Sequence, residues 1–254
     1  MRIPTILLAL PCLLTPVARG QPRIELGMRP LRFEAAIGPG RAWTGAALVT
    51  NGGAAPGRIR AEALDFALDG DGQPVFGELA SERRWSCRDW LVLNPWEARL
   101  AAEASALARL TVRVPDETGE GGYHCAVAYR LEPPLPSPGV GLRAAVRVAA
   151  AVYVVVGDPP VAELSVTAME LERDAGGACA GIAVTFLNDG RRHYRATGAV
   201  LVVDATGGTV AELPVPRRPV LPGRRQRFRL RWPAGLDPRA DYALRFDPAA
   251  ESVQ

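Results

Sequence analysis

The chain has 254 residues, of which 48% are apolar, and its formal net charge at pH 7 is +3. All 30 of its cationic residues are arginine, which excludes chemistry that needs a lysine, such as Schiff-base catalysis. A chain of this length and composition is long enough for one large domain or two ordinary ones.

The first predicted element is an export signal at residues 1–20. Arg2 precedes an apolar run from Ile3 to Leu14, and small residues stand before the expected cleavage point after Gly20. This order is typical of a secretory signal peptide, and the run is too short to span a bilayer. Without the signal, 28 arginines face 27 acidic residues. We therefore expect a nearly neutral periplasmic or extracellular protein that does not bind nucleic acid.

From residue 21 to residue 158, short apolar runs alternate with turns rich in glycine and proline, which is typical of an all-β protein. We predict about seven strands here, at a spacing that suggests an immunoglobulin-like sandwich. Residues 98–110 are rich in alanine and leucine, which also allows a helix. Their second half alternates with period two, so we interpret this stretch as two strands.

The β-pattern restarts after the Gly-Asp-Pro-Pro sequence at residues 157–160, and six or so further strands follow. We interpret the two prolines as a short, stiff linker. The mature chain is thus predicted to form two immunoglobulin-like β-sandwich domains, residues 21–158 and 159–254. No other run approaches the roughly 18 apolar residues of a membrane-spanning helix, so we expect none.

Three cysteines remain after removal of the signal: Cys87, Cys125 and Cys179. Export permits disulfides, and two of the three fall in the first predicted domain. We therefore predict a Cys87–Cys125 bridge and a reduced Cys179, with two buried free thiols as the alternative. Tyr123 stands two residues before Cys125, which is the tyrosine-corner spacing of immunoglobulin sandwiches. Trp90 follows Cys87 too closely for the antibody arrangement, so the bridge is expected at a different place.

The sequence offers few residues for catalysis or metal binding. Its two histidines, His124 and His193, lie in different predicted domains, and no HxH, CxxC or HExxH spacing occurs. Asp65, Asp69 and Asp71 invite a calcium site, but the further oxygen ligands of such a loop are missing, so a glycine-rich hairpin is the better interpretation. We expect a protein that is not an enzyme and needs no cofactor or metal.

The first half contains four motifs in a characteristic order. The opening "RPLRFEAAIGPGRAWTGAALVTNGG" is followed by "WLVLNPWEARLAAEASALARLTV", by "YHCAVAYRLEPP" and by an alternating strand that ends in "VYVVVGDPP". This order resembles the first domain of periplasmic pilus chaperones of the PapD-like kind. In that family the last strand of an immunoglobulin-like domain is lent to an incomplete pilin subunit, and a second β-domain follows. The resemblance implies a chaperone-like protein whose partners are pilin-like or other envelope proteins.

The resemblance also implies a set of client-binding residues. Arg29 matches the family arginine that binds the terminal carboxylate of a subunit, a task that suits a planar guanidinium; an ordinary surface arginine is the alternative. The accompanying family lysine is absent near Ala150 or Ala151. The lent strand corresponds to an apolar face from which we predict these client contacts: Leu142, Val146, Val148, Ala150 and Val152. The opposite face is small and cationic, so a core strand with a solvated outer face is the simpler alternative.

The second half contains "FLNDG", "VVDATGGTVAEL" and, at Val220–Trp232, "VLPGRRQRFRLRW". This pattern is similar to surface proteins of the WxL-interacting kind, and it implies an alternative function as a structural or adhesive envelope module that binds cell wall, glycan or a surface protein. Four alternating arginines in this segment could hold an anionic ligand: Arg225, Arg227, Arg229 and Arg231. The solvated side of an ordinary strand explains the same row.

Overall fold

The computed structural model describes residues 24–132, 145–160 and 165–248. These residues form two all-β domains, as the sequence predicts. The predicted signal peptide at residues 1–20 lies outside the described residues. Within the described parts, no helix is long and apolar enough to cross a membrane.

The first domain is a sandwich of two sheets. Its strands are β1 Leu26–Arg29, β2 Arg32–Ala36, β3 Ala42–Asn51, β4 Gly57–Leu68, β5 Pro74–Gly77, β6 Leu91–Asn94, β7 Glu97–Leu100, β8 Ser105–Arg113, β9 Gly121–Glu132 and β10 Val146–Val156. One sheet has the order β1-β3-β8-β6, and the other has the order β2-β10-β9-β4-β5, with β7 also paired to β4.

Alternating burial fixes which side of each strand faces the core. In β8, Ala108, Leu110 and Val112 are buried, whereas Arg109 and Arg113 are exposed, as the two-residue period of a strand requires. The stretch that also allowed a helix therefore forms the two strands β7 and β8, as predicted.

The chain begins in one sheet of the sandwich and crosses to the other. β1 pairs with β3, and after Pro30 the chain enters β2, which runs parallel to Ala151–Val155 of β10. The first half of β10, Val146–Ala150, pairs with β9 on one side. No described strand covers its other side, so among the described residues the first half of β10 has an unpaired edge, called the open edge below.

The predicted disulfide between Cys87 and Cys125 is present, with the Cα atoms 5.2 Å apart. Cys87 lies between two short 3₁₀ helices, Ala80–Trp85 and Arg88–Trp90, and Cys125 lies in β9. The bridge therefore ties this helical connection to the first core. Cys179 is free and buried, which also agrees with the prediction.

The tyrosine corner predicted from the spacing is also formed. The hydroxyl of Tyr123 donates a hydrogen bond to the carbonyl of Gly119 at 2.8 Å, four residues upstream. The Tyr123 ring packs on Trp90, with the ring centres 4.6 Å apart. This ring contact joins the same two segments as the Cys87–Cys125 bridge.

The second domain has two three-stranded sheets and a short ribbon. Its strands are β11 Ser165–Arg173, β12 Cys179–Asn188, β13 Tyr194–Arg195, β14 Ala199–Val203, β15 Thr209–Pro214, β16 Pro219–Val220, β17 Arg224–Arg231 and β18 Ala243–Asp247. The sheets have the orders β11-β12-β17 and β15-β14-β18, and β13 pairs with β16. Six of these strands were predicted. The two-residue strands β13 and β16 were not, because two residues carry no periodicity.

We expect the double variant Cys87→Ala/Cys125→Ala to lose about 3–4 kcal/mol of unfolding free energy, because the bridge closes a long loop in the unfolded chain. The loop spans 38 residues. Denaturant unfolding followed by tryptophan fluorescence measures this loss. The matched control is Cys179→Ala, which removes a buried thiol but no bridge; an equal loss in both proteins would contradict the role of the disulfide.

Candidate functional site

The predicted client-binding residues of β10 lie on the side of the strand that faces the first core. Val146 and Val148 are half-buried and pack against that core, whereas Ala150 and Val152 are fully buried in it. Leu142 lies outside the described residues. This face therefore serves the protein's own core, and client contacts of its side chains stay a prediction.

The backbone of β10 has no described pairing partner along its open edge. The amide of Ala151 donates to the carbonyl of Leu31 at 3.1 Å. The odd-numbered residues of β10 therefore direct their backbone groups toward the side of the strand on which β2 lies. Because bonding alternates between the two neighbours of a strand, the N–H and C=O groups of Arg147 and Ala149 face the open side. No described strand pairs with them there. An edge of this kind can accept an extended segment of another chain.

Arg29 and Arg32 take different places around this edge. Arg29 is exposed, and its side chain makes no hydrogen bond or ion pair with any described residue. It ends β1, in the sheet that does not contain β10, and its client role stays a prediction. Arg32 is instead in register with Ala151 of β10, near the position at which the family lysine is missing. Sequence reasoning missed Arg32, which stands only three residues after Arg29 in the same motif.

Arg32 belongs to a charged cluster that spans the two domains. Its Nε atom lies 3.2 Å from Oε1 of Glu34, and Nη2 of Arg195, from the second domain, lies 2.5 Å from the same oxygen. The Arg195 guanidinium also lies 5.8 Å from the centre of the Tyr153 ring of β10, at cation–π distance. Burial raises the pKa of Tyr153 to about 12, so the phenol is neutral near pH 7.

The second domain packs on the outer face of the sheet that contains β10. Phe66, Ala126 and Tyr153 of the first domain form a buried apolar cluster with Leu221 of the second. The ring centres of Tyr153 and His193 lie 4.5 Å apart. The interface therefore has an apolar centre with aromatic contacts beside it.

Gly122 allows the two backbones to approach closely at this interface. Its amide donates to the carbonyl of Arg191 at 2.5 Å. A Cβ atom at Gly122 would lie 2.7 Å from Cα of Arg192, a distance that no side chain tolerates. A larger residue here would force the domains apart.

A buried polar cluster joins the domains at a second point. Glu82 is 2% exposed, and its Oε2 accepts a hydrogen bond from Nε2 of His124 at 3.1 Å, while its Oε1 pairs with Arg224 of the second domain. Burial opposes ionisation of Glu82, but the hydrogen bond from His124 and the charge of Arg224 hold its pKa below the usual value. Both histidines of the chain thus lie at the domain interface, although the sequence assigned them to different domains.

The aspartate-rich segment forms the hairpin between β4 and β5, as predicted. The hairpin contacts the second domain, since the buried side chain of Gln226 donates to the carbonyls of Asp69 and Gly70 at 3.0 and 3.3 Å. Asp71 pairs with Arg229 at 2.7 Å. Across the described residues, no group of three or more His, Cys, Asp or Glu side chains is arranged to hold a metal ion.

The predicted arginine row lies on β17, an edge strand of its sheet, and acidic residues neutralise its middle. Arg227 pairs with Glu170 and Glu172 at 3.0 Å each, and Arg229 pairs with Glu172 at 3.0 Å. The outer members of the row, Arg225 and Arg231, have no ionic partner among the described residues. Binding of an anionic ligand by this row stays a prediction.

No protein-family model matches the chain, and no curated protein matches its sequence. The solved structures to which it is similar include fimbrial chaperones, the family that its first half resembles. The Escherichia coli chaperone DraB is 15% identical, with 88% of this chain and 98% of that chain covered and a TM-score of 0.48. A chain of the Salmonella enterica complex of SafA pilin with the SafB chaperone is 14% identical, with coverages of 85% and 87% and a TM-score of 0.48. The Pseudomonas aeruginosa chaperone CupB2 is 11% identical, with coverages of 87% and 98% and a TM-score of 0.45.

His193 makes the stability of the protein depend on pH. Burial and repulsion by Arg195 lower its pKa from 6.5 to about 4, so the folded protein favours the neutral ring. The neutral His193 ring therefore contributes fully to the unfolding free energy above pH 6.5, and this contribution is lost progressively as the pH falls toward 4. We expect the unfolding free energy of the wild type to fall more steeply over this range than that of His193→Gln. Denaturant unfolding at a series of pH values measures both slopes, and parallel curves would contradict the assignment.

Proposed function

We propose that the chain is a pilus-chaperone-like periplasmic protein that binds extracytoplasmic protein subunits and is not an enzyme. The observation that carries the proposal is the open edge of β10 at Val146–Ala150. An extended segment of a client pairs with this edge and continues the sheet. It lies on the same side of β10 as β2, which pairs with Ala151–Val155. Main-chain hydrogen bonds supply the affinity of such strand addition, and side-chain pockets supply its specificity.

The edge suits this task in two respects. The backbone groups of Arg147 and Ala149 supply up to four hydrogen bonds, each contributing about 0.5–1.5 kcal/mol net. Beside them, Val146 and Val148 are only half-buried, so a client strand covers apolar surface as well as polar backbone. Burial of this surface adds to the binding energy.

The start of β2 sets where a client segment must end. The carbonyl of Leu31 already bonds to Ala151, so a client strand that runs parallel to β10, in line with β2, stops before this residue. Its terminal carboxylate then lies beside Arg32, with Arg29 three residues earlier in the chain. Either guanidinium is suited to bind it.

The competing function is an envelope module that binds cell wall or glycan through Arg225, Arg227, Arg229 and Arg231. Arg227 and Arg229 form ion pairs with Glu170, Glu172 and Asp71. Among the described residues, this leaves only the ends of the row, Arg225 and Arg231, without an ionic partner that would compete with an anion. Pairing of a client strand with the open edge of β10 breaks no ion pair of this kind, and we therefore favour the chaperone-like function.

We expect Ala149→Pro to abolish capture of a subunit from a periplasmic extract of the source organism, because proline removes the N–H that faces the open edge and blocks the approach of a strand. The matched control is Ala149→Ser, which keeps this N–H and must still capture the same protein. Capture by both variants would contradict strand addition at β10. If neither the wild type nor the variants retain a protein but all bind cell wall, the envelope module is the function.

Arg29→Ala and Arg32→Ala separate the two candidate carboxylate ligands. For the residue that binds the client carboxylate, we expect the affinity for the captured subunit to fall by about 30-fold or more, since the charge is left without its partner. The other variant should bind almost as well as the wild type. Calorimetric titration with the purified subunit measures both, and unchanged affinity in both variants would exclude a carboxylate anchor at this place.

A further inference from the structure

We propose that Arg147 selects clients whose paired strand carries an acidic side chain in register with it, on the outer face of the sheet. This preference rests on the proposed function, because the acidic side chain belongs to a client segment paired with the open edge of β10. It concerns the outward-facing side chains of that segment, which point away from the first core. Arg147 is then a specificity-determining residue of the open edge.

A row of three arginines crosses the outer face of the sheet and reaches the open edge. Arg147 of β10 lies directly opposite Arg130 of β9, and Arg130 lies directly opposite Arg60 of β4. Arg147 is exposed, whereas its neighbours Val146 and Val148 pack against the first core. Like charges that face each other across neighbouring strands destabilise a sheet. Carboxylates beside this row, called the outer-face row below, therefore stabilise the sheet.

Among the described residues, a carboxylate closes the outer-face row at one end only. Glu97 of β7 lies directly opposite Arg60 and accepts a hydrogen bond from its Nη2 at 3.2 Å. Arg147 stands at the other end, where no described strand pairs with β10. A client strand that pairs there places one residue in register with Arg147, with its side chain on the same face of the sheet. An acidic residue at this position closes the row as Glu97 does at the far end.

The ion pairs of this face are looser toward the open edge. On β4, Arg58 donates to Oε2 of Glu132 at 3.1 Å. By contrast, Nη1 of Arg147 lies 3.5 Å from Oε2 of Glu62, and Nε of Arg130 lies 3.7 Å from Oε1 of Glu132. Both distances exceed the usual N–H···O range of about 2.7–3.2 Å. The arginines that are free to take a new carboxylate therefore lie at the end where a client strand pairs.

Two heptapeptides test the preference. Both have valine at alternate positions, with glutamate between the valines in one peptide and glutamine in the other, and both have amidated C-termini so that no terminal carboxylate is present. We expect the wild type to bind the glutamate peptide about fivefold more tightly, because opposite charges in register stabilise a strand pair. NMR titration that follows the backbone amide signals of Arg147 and Ala149 measures both affinities at the open edge.

Variants of Arg147 show whether this side chain sets the preference. Arg147→Gln should bind the two peptides equally, and Arg147→Glu should favour the glutamine peptide, because like charges in register repel. The matched control is Arg113→Glu, which changes the net charge by the same amount. Arg113 is an exposed residue of β8, in the other sheet, and has no ionic partner among the described residues. This control should keep the preference of the wild type.

Equal affinity of the wild type for the two peptides overturns the proposal, as does a preference for the glutamate peptide that persists in Arg147→Glu. In either case, loss of binding of both peptides in Ala149→Pro would still support strand addition at the open edge, so the chain would have the proposed function without the acidic preference. If neither peptide binds the wild type at this edge, strand addition and the preference that rests on it are both contradicted.

Discussion

The parallel pairing of β2 with the second half of β10 is the constraint on which the rest of the structure depends. β2 pairs with Ala151–Val155 and stops there, so that no described strand pairs with Val146–Ala150 on that side. The chain can make this pairing because it leaves the first sheet after β1 and enters the second as β2. The same crossing brings Arg32 and Glu34 to the face against which the second domain packs.

The domain interface combines apolar burial with polar contacts at several separate points. A small apolar cluster around Phe66 and Leu221 supplies the burial. The buried carboxylate of Glu82 bonds to His124 of its own domain and to Arg224 of the second domain. Both bonds can form together in only one relative placement of the domains. Buried ion pairs contribute little net stability because desolvation offsets their attraction. We infer that their main effect here is to fix the orientation of the second domain beside the open edge.

Local patterns predicted the parts of the fold that local forces determine. The alternation in β8 reflects one buried and one solvated face, and the bridge from Cys87 to Cys125 followed from their place in the same half of the chain. The hairpin beginning at Asp69 was recognised from its glycines. Its contact with Gln226 of the second domain was not, because the contact depends on how the domains pack.

The sequence predicted only part of the candidate site, because the site also depends on how the strands and the domains pack. Arg29 and Arg32 stand in one motif, and only the register of β2 against β10 places Arg32 at the end of the open edge. Arg195 lies in a two-residue strand far along the chain, and nothing near it in the sequence indicates that it meets Glu34. Burial of Ala150 and Val152 in the first core likewise follows from the pairing of whole strands.

Amide hydrogen exchange along β10 tests the central claim, that the open edge of this strand is the binding surface, most directly. In the free protein, the amides of Arg147 and Ala149 should exchange rapidly, while the amide of Ala151, which bonds to Leu31, should be protected. In a complex with the captured subunit, all three should be protected. Slow exchange of Arg147 and Ala149 in the free protein, or rapid exchange that persists in the complex, would contradict the account.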